Sequence, residues 1–293
     1  MVDKAAGLTS HGVVSRVRRL VGTRKVGHAG TLDPMATGVL LVGVNRATRL
    51  LGHLMLTEKT YTATIRLGVG TVTDDAEGEV TTAPGLRPLD ADRLEAAVAP
   101  LRGDISQVPT AVSAIKVDGV RSYARVRTGQ AVELAARPVR VQRFDVLARC
   151  EVEAHGVPCL DLDVEVVCSS GTYIRALARD LGAALGSAGH LTALRRTRVG
   201  PFGLEEAVVL PEPAGPGTEP PGLPVLGMTA VVRRCFATVT VSAAEEAAVR
   251  VGRPLTGLDL AAELVALLSP TEEFLALYRR QDGRAVPEAV FTG

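Results

Sequence analysis

A single carboxylate in a glycine-rich run is the first feature of this 293-residue sequence able to do chemistry. Gly27 to Leu41 reads GHAGTLDPMATGVLL, with His28 between small residues, Asp33 followed by Pro34, and an apolar stretch from Val39 to Val44 broken only by Gly43. Pro34 restricts Asp33 to extended conformations and the glycines permit positive φ and close backbone approach. The carboxylate is therefore presented on a fixed loop ahead of a buried strand. Such a carboxylate is a candidate nucleophile. Composition alone leaves a second use open, because Asp before Pro is also a common turn pair.

The surrounding segments read as elements that hold this loop. Thr9 or Ser10 can cap a helix carrying Val13, Val14, Val17, Leu20 and Val21 on one arc, with Arg16, Arg18 and Arg19 off it and Gly22 ending it. Arg46 to Leu56 and Pro88 to Leu101 read as further helices. Thr60 to Gly68 alternates as a strand, with Tyr61, Ala63, Ile65 and Leu67 on one face. Leu160 to Cys168 alternates as a central half-buried strand and leads into CSSGTYIRALARDLG. There Gly171 permits a strand-to-helix turn, Tyr173 and Arg175 fall near the helix N-terminus, and Ile174, Leu177, Ala178, Leu181 and Leu185 supply the apolar face.

Net charge is only +1, which argues against a general polyanion binder, but the charge is unevenly spread. Up to residue 200 there are 26 Lys and Arg against 20 Asp and Glu, and beyond it 7 against 12. Arg16, Arg18, Arg19, Arg24 and Lys25 form one acid-free cluster, and six arginines from Arg121 to Arg143 form a second with only Glu133 against them. Both are candidate phosphate contacts, with a solvated face as the alternative for any one arginine. Four cysteines show no CxxC pair or metal-ligand spacing and read as reduced structural thiols of a cytosolic protein. Neither a targeting pattern nor a membrane-length apolar run is present, so a soluble cytoplasmic protein with no membrane partner is expected. No Rossmann, Walker or zinc signature appears.

The loop closely resembles the signature GH-(small)-G-x-LDP-x-ATG-x-L of the TruB-type tRNA pseudouridine synthases. Further matches follow in order over roughly the first 200 residues: DKAAGLTS, with Ala5 where proline is usual; KTY at Lys59 to Tyr61; an acidic turn at Asp75; ISQVPTAVSAIK from Ile105 to Lys116; CSSGTYIR; and the L-R-R ending around Leu194. The resemblance implies Asp33 as nucleophile, Tyr61 as stacking residue and general base, and Arg175 as the partner of Asp33. An Arg within about 4 Å would favour the ionised carboxylate. It further implies His28 entering the T-loop, Tyr173 and Leu194 lining the uracil pocket, Asp75 near the nucleotide, and Lys116 on the RNA backbone within a thumb-like insertion at about 104–140. Lys59, Arg16 and Arg19 join these as substrate contacts, while Arg195, Arg196 and Arg198 are free to meet phosphate or support the fold.

Six prolines between Pro211 and Pro224 mark a linker. After it, Cys235 to Val241 reads as a strand, Ser242 and Glu245 as the capping box of a helix closing at Gly252, and Leu264 to Leu268, Phe274 to Tyr278 and Ala289 to Phe291 as short apolar runs. This resembles a PUA-like RNA-binding module. The expected architecture is thus α+β: a catalytic domain over 1–209 with a mixed, mainly antiparallel sheet flanked by helices, a linker over 210–224, and a small β-rich domain over 225–293. The resemblance implies formation of pseudouridine-55 in the T-stem-loop of tRNA, without cofactor or metal and with no obligate protein partner; a monomer is the default expectation, since nothing in the sequence marks a self-association face. Two alternatives are a guide-dependent relative, disfavoured without long basic tails, and a non-catalytic RNA-binding protein or tRNA chaperone. A glycosidase would need paired carboxylates and sugar-stacking aromatics, and aromatics are only 3% with no Trp.

Overall fold

The computed structural model describes residues 1–55, 57–110, 116–117, 120–121, 134–211 and 222–292. Two compact units divide the chain. Met1–Val13, Thr31–Leu40 and Met55–Val209 form the first, and Val14–Gly30, Leu41–Leu54 and Leu210–Gly293 the second.

In chain order the strands begin with β1 (Val2–Lys4), β2 (Val26–Ala29), β3 (Thr37–Val44), β4 (Lys59–Leu67), β5 (Gly70–Thr71), β6 (Val80–Thr82) and β7 (Gly103–Gln107). They continue with β8 (Lys116–Val117), β9 (Val120–Arg121), β10 (Arg137–Ala154), β11 (Val157–Cys168), β12 (Gly189–Val199) and β13 (Phe202–Gly203). The main sheet has the order β1-β3-β12-β4-β11-β10-β7. Along that order only β3 and β12 run parallel, through Arg195↔Thr37 and Arg196↔Gly38, so the sheet is mixed and mainly antiparallel as expected.

β4 lies between β12 and β11, and its alternation buries Lys59, Tyr61, Ala63, Ile65 and Leu67. The helix Ile174–Ala184 buries Ile174, Leu177, Ala178 and Leu181, the face read from its spacing. Burial of each of Ile174, Leu177 and Leu181 contributes about 1.5–3 kcal/mol. Thr9 rather than Ser10 caps the helix Ser10–Val21, its Oγ1 accepting from the Gly12 N–H at 2.9 Å. Gly22 follows at φ 65°.

Other segments depart from expectation. Arg46 to Leu56 is not one helix: a 3-10 turn at Asn45–Arg49 is followed by a single turn at Leu51–Leu54. Gly43 approaches this turn so closely that a Cβ there would lie 2.8 Å from the Ala47 carbonyl oxygen. β10 and β12 were not anticipated, because arginines interrupt their apolar pattern.

In the second unit, β14 (Ala237–Thr240), β15 (Leu264–Leu268), β16 (Phe274–Gln281) and β17 (Arg284–Val290) form a sheet in that order. β14 is parallel to β15 and the other pairs are antiparallel. Met228–Cys235 is a helix, so the strand expected from Cys235 starts only at Ala237. The Ser242–Glu245 capping box is present, opening the helix Ala243–Arg250. Val249, Leu255, Val265, Leu267, Leu275 and Tyr278 form the core of this sheet and its helix. No helix among the described residues is long and apolar enough to cross a membrane.

Candidate active site

Asp33 sits in the loop entering β3, and three neighbours fix that loop from behind. Ser10 Oγ accepts from the Leu32 N–H at 2.9 Å and donates to the Leu32 carbonyl at 3.0 Å. The Lys4 ammonium, wholly buried, donates to the Pro34 carbonyl at 2.9 Å, which also accepts from the Gly7 N–H at 2.9 Å. The residues flanking Asp33 on both sides are therefore tied to the β1 segment and the start of the first helix. Its carboxylate keeps 35% of its surface open.

Arg175 comes from the first turn of the helix Ile174–Ala184. Its Nη2 donates to Asp33 Oδ1 at 3.1 Å and its Nε stands 3.0 Å from Oδ2, a two-pronged contact. The guanidinium is only 5% exposed, and Nη1 donates to the Thr73 carbonyl at 2.9 Å while lying 3.4 Å from Asp75 Oδ2. Asp75 is buried, and its Oδ1 accepts from the Glu77 N–H at 3.0 Å. The helix start is itself clamped: Gln107 Oε1 accepts from the Tyr173 N–H at 2.8 Å and Gln107 Nε2 donates to the Tyr173 carbonyl at 3.1 Å.

Burial pushes the Asp33 carboxyl above its ordinary range; Arg175 pulls it down and Asp75 adds to the rise. The arginine that the sequence led one to expect is in place, yet desolvation outweighs it. Tyr61 is 7% exposed, and burial raises its phenol while the Arg196 guanidinium lowers it. Asp33 is near enough for its charge to act on that phenol. One guanidinium thus joins Asp33 and Asp75, with Tyr61 within electrostatic reach of Asp33.

The remaining expected residues are distributed more widely. Leu194 is buried on β12 opposite Ala63, and Tyr173 precedes the Arg175 helix, half-buried. Lys59 is buried, its ammonium donating to the Met55 and Thr57 carbonyls at 2.9 and 2.7 Å. His28 is half-buried on β2 opposite Val42, and with Arg16 and Arg19 it belongs to the second unit. Arg19 is exposed and Arg16 half-buried. Lys116 begins β8, its side chain lying outside the described residues, as do Tyr123, Arg125 and Arg127.

Of the two uses expected for the arginines of β12, Arg195 and Arg196 serve the fold. Arg195 is not free, because both its terminal nitrogens hold Asp3, at 3.1 and 2.7 Å. Arg196 is 1% exposed and cannot reach phosphate, its Nε being held on the Val39 carbonyl at 2.8 Å. Within the second arginine cluster, Arg140 lies 3.5 Å from Asp104, and Arg143 pairs with Glu165 and, at 3.4 Å, with Asp145. Lys4, Ser10 and Gln107 are the functional supports that sequence reasoning missed; each lies in a motif quoted for the resemblance, but nothing in its type marks it as buried.

Residues 18–174 match the family model described as TruB family pseudouridylate synthase, N-terminal domain, and residues 175–212 match the tRNA pseudouridylate synthase B C-terminal domain. The chain belongs to the TruB family of pseudouridylate synthases. It is 57% identical to the tRNA pseudouridine synthase B of Cutibacterium acnes, over 96% of this chain and 92% of that one. It is 61% identical to the protein of the same name from Mycobacteroides abscessus, over 87% and 83%. Among solved structures, a chain of a Cbf5-Nop10-Gar1 complex superposes with a TM-score of 0.68 at 26% identity, covering 99% of this TruB-family chain and 84% of that chain. Among the described residues no cluster of His, Cys, Asp or Glu could hold a metal.

Proposed function

We propose that this TruB-family chain converts the uridine at position 55 in the T-loop of tRNA to pseudouridine, by base flipping and attack from Asp33, with no cofactor. The observation that carries the reading is the two-pronged contact of buried Arg175 on Asp33, which fixes a carboxylate without covering it. Its relatives' shared name, tRNA pseudouridine synthase B, supplies the substrate class.

In this reaction the N1–C1′ bond breaks, a C5–C1′ bond forms, C5 loses its proton and N1 gains one. The rearrangement is internal to the nucleotide and redox-neutral. Asp33 carries the nucleophilic step and Tyr61 stacks on the base and takes the C5 proton. Extracting a stacked base costs a few kcal/mol, which His28 as wedge and Arg16, Arg19 and Lys116 as phosphate contacts offset. Tyr173 and Leu194 wall the uracil pocket, Asp75 orients Arg175, and Lys59 fixes the strand start below Tyr61. In this reading residues 1–209 are catalytic, 210–224 a linker, and 225–293 a PUA-like RNA-binding module.

Tritium release from tRNA labelled at uridine C5, with the product position mapped, tests this. Wild type should release tritium at the T-loop site, and Asp33→Asn should bind tRNA without release. Turnover by Asp33→Asn would overturn the nucleophile assignment. Binding without release by wild type would leave an RNA-binding protein or chaperone.

A further inference from the structure

Arg196 is the largest fully buried side chain of the described residues, at 1% exposure. Taking a guanidinium out of water costs several kcal/mol that hydrogen bonds only partly return, and an aliphatic residue would fill a sheet interior more cheaply. Its location suggests what the charge is for. Arg196 is the cross-strand partner of Gly38 on β3 and of Tyr61 on β4. Across the antiparallel β12–β4 pair, opposed residues project to the same face, so Arg196 and Tyr61 lie side by side. The Arg196 Nε donates to the Val39 carbonyl at 2.8 Å, anchoring the guanidinium to β3 on the face it shares with its cross-strand partner Tyr61, whose ionised form its charge favours.

We propose that Arg196 is a positioning residue for Tyr61: it donates to the Tyr61 oxygen and so directs that oxygen's own proton, or its free lone pair, away from β12 and toward the reacting base. A guanidinium has only donors, so the tyrosine oxygen must accept from it. The hydroxyl would otherwise rotate freely about its C–O bond. This rests on the reading of Tyr61 as the group that handles the C5 proton. The titratable groups acting on Tyr61 are Arg196 on β12, the Cys168 thiol at the end of β11 and Asp33 on its loop, and the ammonium of Lys59 in turn feels Arg196. Of those acting on Tyr61, Arg196 alone bears a positive charge.

The test is a double-mutant cycle with Arg196→Gln, which keeps a neutral donor, Tyr61→Phe, and the pair, each followed by tritium release, tRNA binding and a pH–rate profile. Arg196→Gln should lower kcat about tenfold with KM unchanged, the worth of one hydrogen bond from a charged donor. It should move the kinetic limb belonging to Tyr61 to higher pH. The pair should be no slower than Tyr61→Phe alone. Arg196→Lys, which keeps the charge, should recover part of the loss, and it carries the same cycle if Arg196→Gln does not fold. Multiplying losses in the pair, or an unmoved limb, would overturn the proposal. A Tyr61→Phe enzyme as fast as wild type would instead overturn the reading on which it rests.

Discussion

Arg175 holds Asp33 with two nitrogens, at 3.1 and 3.0 Å, while its third nitrogen lies 3.4 Å from Asp75. One buried cation thus serves two carboxylates, of which only Asp33 is open to solvent. The fork geometry matters as much as the charge. A lysine could face one carboxylate but not span both. Arg175→Lys should therefore lower kcat by about 10²-fold, an effect of the size seen when one preorganised electrostatic contact is lost. Single-turnover kinetics with tRNA binding measured in parallel checks this; a loss confined to binding would refute it.

The same triangle sets a pH dependence. Asp75 contributes to raising the Asp33 carboxyl, alongside burial, so removing its charge lowers the Asp33 pKa. A nucleophilic carboxylate works only when ionised, and the activity falls as pH drops through its pKa. Asp75→Asn should move the acid limb of kcat/KM to lower pH, even as the loosened Arg175 reduces the plateau. A limb that moves upward would mean that Asp75 acts on Asp33 chiefly through Arg175.

How much of this was legible beforehand follows from what each residue type reveals. Asp33, Tyr61 and Arg175 stand in long motifs of unusual composition, and Arg175 does pair with Asp33. β4, β11 and the helix Ile174–Ala184 carried clean periodicity because each has one face packed on the core. β12 was opaque: its LRRTR run looks like a phosphate-binding stretch, and only the three-dimensional structure shows Arg195 tied to Asp3 and Arg196 buried against the Val39 carbonyl. Lys4 and Ser10 were equally hidden, since a lysine and a serine near a turn are ordinarily solvated, and their carbonyl and amide partners lie up to 30 residues away.

Lys59 gives a stability signature. Burial, with Arg196 nearby, lowers its ammonium from 10.5 to about 8. Between about pH 8 and 10.5 the unfolded chain then binds a proton at this site that the folded chain has lost. Stability contributed by Lys59 rises with pH across that window. The difference in unfolding free energy between wild type and Lys59→Met, from urea titrations, should grow in favour of wild type from pH 8 to 10.5. A constant difference would show that the ammonium titrates as in water.

Gly38 explains a glycine of the motif and supplies a final prediction. It adopts φ 101°, where other residues are strained, and a Cβ there would overlap the Arg196 carbonyl across the parallel β3–β12 pair. The obstacle is backbone, which cannot swing aside as a flexible side chain could. Gly38→Ala must either separate the two strands or rotate the residue out of register, five residues after Asp33 and directly beside Arg196. Both routes should cost about 3 kcal/mol or more, from strain and overpacking together. Thermal melting should show the loss. In whatever fraction remains folded at low temperature, kcat should fall more than tRNA affinity, because the displaced strand carries the Asp33 loop and the Val39 carbonyl that anchors Arg196. An alanine variant as stable as wild type would show that β3 and β12 can part at this point without penalty.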